Sequence, residues 1–247
     1  MKKVLFVTIM GSLLTMSINS CGKKDTPSTP SSSAPTINTP SDAVGAFASV
    51  KIVTTQTVGG ITIPINIGTA VAWVGTSASF LDAGTITCNT KNLAKQTGNS
   101  YVFTPTTTEP TGLDFSSSPI SWTVSGNSAN NIAAYSHDVT GYFPEIEDIA
   151  HSGDVATNAP FTLTASGPVT GDSVIFVVAG PNASVVKTRG PNTSSCTFTA
   201  AEMGTLGTGS NAGIIQIAPY RISLDNSTGR NYYFIRETCV NKFVNLN

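Results

Sequence analysis

Residues 120–125 read Ile-Ser-Trp-Thr-Val-Ser, with an apolar side chain at every second position. A period of two puts Ile120, Trp122 and Val124 on one face of an extended strand and the hydroxyl residues on the other. The same alternation runs through Ile61-Thr-Ile-Pro-Ile-Asn-Ile67, where Pro64 offers no N–H and so marks an edge or a bulge. Val174-Ile-Phe-Val-Val178 is apolar at both parities, as in a central strand covered on both faces. Outward from these three, short runs rich in Val, Ile, Thr, Phe and Tyr are separated by Gly, Pro, Asn and Ser clusters. They predict strands at 47–55, 61–74, 84–89, 100–104, 120–125, 131–136, 161–166, 173–179, 195–199, 213–223 and 232–243, an all-β chain. One helix start stands out. Thr199-Ala-Ala-Glu202 has the spacing of a capping box, and Gly204, Gly207 and Gly209 limit the helix to one or two turns.

The segment 104–119, Thr-Pro-Thr-Thr-Thr-Glu-Pro-Thr-Gly-Leu-Asp-Phe-Ser-Ser-Ser-Pro, has no periodicity and three prolines, and it predicts a division. On that reading 43–117 is a small N-terminal β unit. Residues 118–247 resemble the immunoglobulin-like sandwiches of secreted proteins in architecture, with Trp122 as a core anchor. The Cys…Trp…Cys spacing of antibody domains is absent.

The N-terminus reads as an address. Lys2 and Lys3 precede an apolar run from Val4 to Ile18, broken by Gly11, Ser12, Thr15 and Ser17. That is too short for a spanning helix and fits the apolar region of a secretory signal. It ends in Ile18-Asn19-Ser20-Cys21. The charged start, the apolar run and the small Ser20 before Cys21 resemble the signal of bacterial lipoproteins, although Asn19 departs from that pattern. The resemblance implies removal of 1–20 and lipidation of Cys21, with the body held at the outer membrane on its periplasmic face or at the cell surface. Two or more acyl chains give stable anchoring where one is marginal. Residues 21–42 then form a flexible linker. Thirteen of the 17 residues in 26–42 are Ser, Thr or Pro, which bury too little surface to offset ordering entropy.

Charge excludes further classes. Thirteen Lys and Arg against 14 Asp and Glu, with no basic run, leave no electrostatic footprint for nucleic acid. No glycine pattern cradles phosphate, and no cofactor is implied. With Cys21 lipidated, Cys88, Cys196 and Cys239 remain. An exported chain permits a disulfide. Cys196–Cys239 is the expected pair, leaving Cys88 buried and free, with Cys88 pairing either as the alternative.

Two sets of residues qualify as candidate sites. His137, Asp138, His151 and Asp154 fall in the chain's densest titratable stretch, which also holds Glu145, Glu147 and Asp148. They offer ligands for a metal such as Zn²⁺ or carboxylates for acid–base work on a sugar, though no known ligand spacing is present. The bland alternative is a solvated loop with Tyr142, Phe143 and Ile146 turned inward. Tyr232 and Tyr233 must point to opposite sides of a strand, so one is expected to be exposed and able to stack on a glycan. Asp172-Ser173-Val174 resembles a short O-glycosylation acceptor and reads equally as the turn before a strand. The function expected from all this is a non-catalytic envelope lipoprotein for adhesion, assembly or scaffolding, its partners the membrane and an unknown protein or glycan. A glycan-binding module is the alternative, and a metal-dependent hydrolase at 137–154 the more distant one.

Overall fold

The computed structural model describes residues 40–58, 61–76, 79–151 and 153–247. The signal, Cys21 and all but the end of the linker lie outside the described residues. In chain order the strands are β1 Gly45–Val58, β2 Ile61–Thr76, β3 Ser79–Phe80, β4 Ile86–Cys88, β5 Lys91–Asn92, β6 Ala94–Lys95, β7 Ser100–Phe103 and β8 Ile120–Val124. Next come β9 Tyr135–Val139, β10 Phe161–Thr164, β11 Ser173–Ala179, β12 Ser184–Arg189 and β13 Ser195–Phe198. A one-turn helix, α1 Ala200–Met203, precedes β14 Gly209–Asp225 and β15 Tyr232–Leu246. The protein is all-β, built from three sheets packed in a sandwich-like arrangement. A nine-stranded sheet runs β12-β11-β14-β15-β1-β2-β7-β6 with β3 added to β2; a four-stranded sheet runs β5-β4-β8-β9; β10 pairs with β13.

The alternating stretch behaves as its period demands. Ile120, Trp122 and Val124 are buried, Ser121 is half-buried and Thr123 is exposed. Val174 to Val178 are all buried in β11, between β12 and β14. Pro64 sits where β2 has β1 as its one neighbour, because pairing with β7 starts only at Ala70. The missing N–H therefore breaks no second ladder. The capping box is complete: Thr199 N donates to Glu202 Oε2 at 2.7 Å and Glu202 N to Thr199 Oγ1 at 3.3 Å. Lys187 on edge strand β12 donates to the same carboxylate oxygen at 2.6 Å.

Three expectations are corrected. The division at 117/118 has no counterpart in the sheets. β1 lies parallel to β15, in register from Gly45↔Tyr232 to Val53↔Val240, while its other side pairs with β2. A strand with one free side must satisfy its backbone groups somewhere, and here the distant β15 supplies the partner. The strands of 118–247, read as a self-contained immunoglobulin-like sandwich, are instead distributed over all three sheets. Strand limits also move. The expected strand at 131–136 becomes β9 at 135–139, because Asn131 closes the short 3₁₀ turn 128–130 in the left-handed region at φ +55°. β12, between Pro- and Gly-rich turns and carrying Lys187 and Arg189, is an addition to the expected strands.

The third correction concerns the cysteines, since Cys88, Cys196 and Cys239 are separate buried thiols. Cys196 packs with Leu163 and Phe198 on one side of the large sheet. Cys239 packs with Ile235 and Tyr233 in the core of the opposite face. Strand pairing places the two in different layers, so their shared location in the C-terminal half does not bring them together. Burial pushes the Cys88 thiol up to about 12.

Burial is organised in three cores. On one face of the large sheet, Phe176, Ile215, Ile217, Val240 and Val244 pack under β10, β13 and α1. Phe47, Ala70, Ala72 and Phe234 on the same face pack under Ile86, Ile120, Trp122 and Val124 of the four-stranded sheet. The opposite face joins Ala46, Val50, Val71, Trp73, Ile175, Ala218 and Ile235, and apart from Ala43 its described members all belong to the nine strands themselves. Yet Ile175 and Ala218 are 0% exposed. This face is thus a buried core in its own right, as twisted and coiled strands allow.

Candidate functional site

The titratable stretch does not converge. On β9, His137 and Asp138 point to opposite sides, as neighbours on a strand must. His137 Nδ1 lies 2.9 Å from Asp225 Oδ2, and its ring stacks on Phe234 at 4.4 Å. Tyr135 donates to the same Asp225 oxygen at 2.5 Å. That hydrogen bond, foremost, holds the Asp225 carboxyl down at about 2, while burial followed by the Asp225 contact pushes the Tyr135 hydroxyl up. Asp138 instead accepts from Ser121 Oγ at 2.6 Å. His151 sets its ring edge-on to Phe161 at 5.1 Å, and Asp154 accepts from Asn245 and Asn247 at 2.7 and 2.8 Å. Among the described residues no group of three or more His, Cys, Asp or Glu is placed to hold a metal ion. The metal reading of His137, Asp138, His151 and Asp154 is corrected accordingly: the four contact four different strands, β14, β8, β10 and β15.

The tyrosine pair is corrected too. Tyr232 is 5% and Tyr233 9% exposed. Because β15 is interior to the large sheet and both of its faces are covered, neither side of the strand reaches solvent. Tyr232 stacks on Tyr135 at 4.5 Å, and Tyr233 donates to Asp42 Oδ1 at 3.0 Å.

What the structure does assemble is a cleft of about 570 Å³ over β1, between the segments 111–118 and 141–145. Its floor is Lys51, which shares a face of β1 with Phe47 and Ser49. The first wall lies against β2 through Gly68. Gly68 N donates to Thr111 O at 2.8 Å and Leu113 N to Gly68 O at 3.0 Å. A Cβ on Gly68 would stand 1.9 Å from the Leu113 carbonyl oxygen, so only glycine allows this approach. On that wall Asp114 accepts from Ser116 N at 2.8 Å, and its two bonds with Ser116 hold its carboxyl below the usual range. Phe115 leans across to Phe143 on the second wall, 5.2 Å between centroids.

The second wall is pinned from beneath by β15. Arg236 Nη1 donates to the carbonyls of Thr140 and Tyr142 at 2.7 and 3.2 Å, and Thr238 Oγ1 donates to Pro144 O at 2.6 Å. Gly141 passes over the guanidinium at φ +98°, and a Cβ there would meet Arg236 Nη1 at 2.6 Å. The inward turn expected of Tyr142, Phe143 and Ile146 holds for Ile146, which is buried. Phe143 is half-buried, and Tyr142 is 87% exposed at the lip of the cleft. Held backbone and a free side chain are the two properties a binding loop needs.

Lys51 carries the electrostatics. Burial of its stem and ammonium lowers its affinity for the proton, partly offset by the Glu145 carboxylate. Its Nζ lies 5.4 Å from the centre of the Phe143 ring, a cation–π contact. Neither Lys51, Phe115 nor Phe143 stands out from the sequence as a binding residue. The signal is faint: an aromatic within the aperiodic segment 104–119, and an isolated Lys between apolar residues of a strand.

Arg236 is a positioning residue for this wall. Arg236→Met keeps the stem and removes both bonds, and is expected to cost about 2–3 kcal/mol in urea unfolding. Amide exchange at 140–145 should accelerate more than at β11. Uniform acceleration across the sheets would instead mean that Arg236 serves the core alone.

No family model, no curated protein and no solved structure matches the chain.

Proposed function

We propose that the chain is an envelope lipoprotein, anchored through Cys21 at the outer membrane, whose β body binds a partner without transforming it. The observation that carries the binding role is the cleft over Lys51, with two walls each fastened to the large sheet and an exposed aromatic at its lip. The use of the body's other titratable groups favours binding over chemistry: His137 is engaged by Asp225, Lys242 by Asp148 at 2.8 Å, and Asp154 by two asparagines. The anchor rests on the sequence, on Ser20-Cys21 behind an apolar run and ahead of a Ser/Thr/Pro spacer.

Replacing the lipidated atom tests the anchor. A Cys21→Ser chain is expected in the soluble periplasmic fraction, while the native chain stays with membranes and incorporates labelled palmitate. A native chain that takes up no palmitate, or a variant that remains membrane-bound, refutes it.

A further inference from the structure

The cleft's chemistry specifies an occupant more closely than "a partner". We propose that it binds a neutral saccharide unit, its C–H face against Phe115 and Tyr142, its hydroxyls shared between the Lys51 ammonium and the Glu145 carboxylate. This deepens the binding reading and is independent of the anchor.

Three features select that class. The volume, about 570 Å³, falls within the range of small-molecule clefts, where a few placed polar groups fix orientation against an apolar lining. The lining combines Phe115, Tyr142 and Phe143 with Lys51, Asp114 and Glu145, so aromatic surface and charged groups meet in one space. A pyranose has the matching duality, with one face of C–H bonds and a rim of hydroxyls. Aromatic side chains offer broad apolar contact at small entropic cost, and Tyr142 stands 87% exposed with nothing yet packed on it.

The second feature is an unmet hydrogen-bonding demand. The Lys51 ammonium is half-buried, yet the described contacts give it a ring face and a carboxylate acting at a distance, with no hydrogen-bond acceptor. Glu145 uses its backbone, donating to Thr170 Oγ1 at 2.9 Å, and leaves its side-chain oxygens to the cleft. A hydroxyl both accepts and donates, so one sugar oxygen can serve the donor and its neighbour the acceptor.

The third feature is charge. Two carboxylates, Asp114 and Glu145, face one ammonium in the lining. An anionic sugar or a phosphate would gain one attraction and meet two repulsions. A cationic peptide would meet the desolvated Lys51. A neutral polyol meets neither penalty.

The test uses the full chain in a detergent without a sugar headgroup. The immobilised probes are neutral tri- and tetrasaccharides of glucose, galactose, mannose and N-acetylglucosamine, the corresponding uronate oligomers, and a peptide library. At least one neutral series is expected to bind with a Kd in the micromolar to millimolar range, ahead of its uronate counterpart. Tyr142→Ala and Lys51→Met should each weaken that binding about tenfold or more, at unchanged thermal stability for the exposed Tyr142. A thermal melt of Lys51→Met, read beside its binding, separates loss of binding from loss of fold. No neutral saccharide bound at millimolar concentration, a preference for uronates or peptides, or variants that bind as the native chain does would each overturn the proposal. The anchor stands apart from these outcomes. A chain that binds saccharide but fractionates as a soluble protein removes the lipoprotein reading and leaves this one. A membrane-bound chain indifferent to sugars does the reverse.

Discussion

At pH 9 the Glu237→Gln variant is expected to be more stable than the native chain by several kcal/mol, and at pH 5 to match it within about 1 kcal/mol. Glu237 lies in the middle of β15 on the face of the large sheet that carries Val50 and Tyr220, 1% exposed, opposite Tyr220 on β14 and Val50 on β1. Its Oε2 has no hydrogen-bond partner. Burial alone pushes its carboxyl from the ordinary 4.5 up to about 8. Between those two values the folded chain holds a proton that the unfolded chain has released, so stability falls as pH rises. The contribution is fully present below about 4.5 and is lost as pH climbs through about 8. The interval corresponds to about 5 kcal/mol as an upper figure. Glutamine has the same shape and no proton to lose, so the slope should vanish. Urea midpoints of both chains at pH 5, 7 and 9 decide it: parallel curves across that range would mean that the carboxyl reaches solvent or a cation. In the acid range the sign reverses. Asp82, Glu202 and Asp225, each held down at about 2 by hydrogen bonds, lose their contribution as pH drops through that value.

Trp122→Ala is expected to cost about 3–5 kcal/mol. Trp122 is 1% exposed, in a T-shaped contact with Phe47 at 5.3 Å, and belongs to the core by which the four-stranded sheet sits on the large one. Phe47 in turn stacks on Phe234 at 5.0 Å, so the chain Trp122–Phe47–Phe234 links β8 to β1 and β15. The indole N–H has no partner, which makes the contribution one of apolar burial and ring contact. Trp122→Phe should therefore recover most of it, as read from urea midpoints. A loss under about 1 kcal/mol for alanine would mean that the two sheets are held elsewhere.

The strands are readable where one face is buried and the other is wet, since that is what writes a period of two into a sequence. Ile120, Trp122 and Val124 show it, and so does the apolar run of β11 that is covered on both sides. The capping box is readable because it closes within four residues. The pairing of β1 with β15 is not. Nothing local specifies a partner so far along the chain, and the apparent division at 104–119 is the segment that crosses to build one wall of the cleft. Tyr232 and Tyr233 mislead because adjacent strand residues imply one wet side only at a sheet surface, and β15 has none over that stretch. The cleft escapes for a related reason: floor and walls come from three separated segments, and what unites them is the hydrogen bonding of Arg236 and the bare backbone of Gly68.

The parallel pairing of β1 with β15 also sets an order of events. Synthesis and any passage through a membrane deliver this polypeptide from its amino end, so residues 45–53 arrive long before the partner at 232–240. Until then β1 is paired on one side alone, with β2, and its other edge has no ladder partner. The β1–β15 ladder at the centre of the large sheet therefore closes only after residues 232–240 have emerged, so the last strand made completes the sheet.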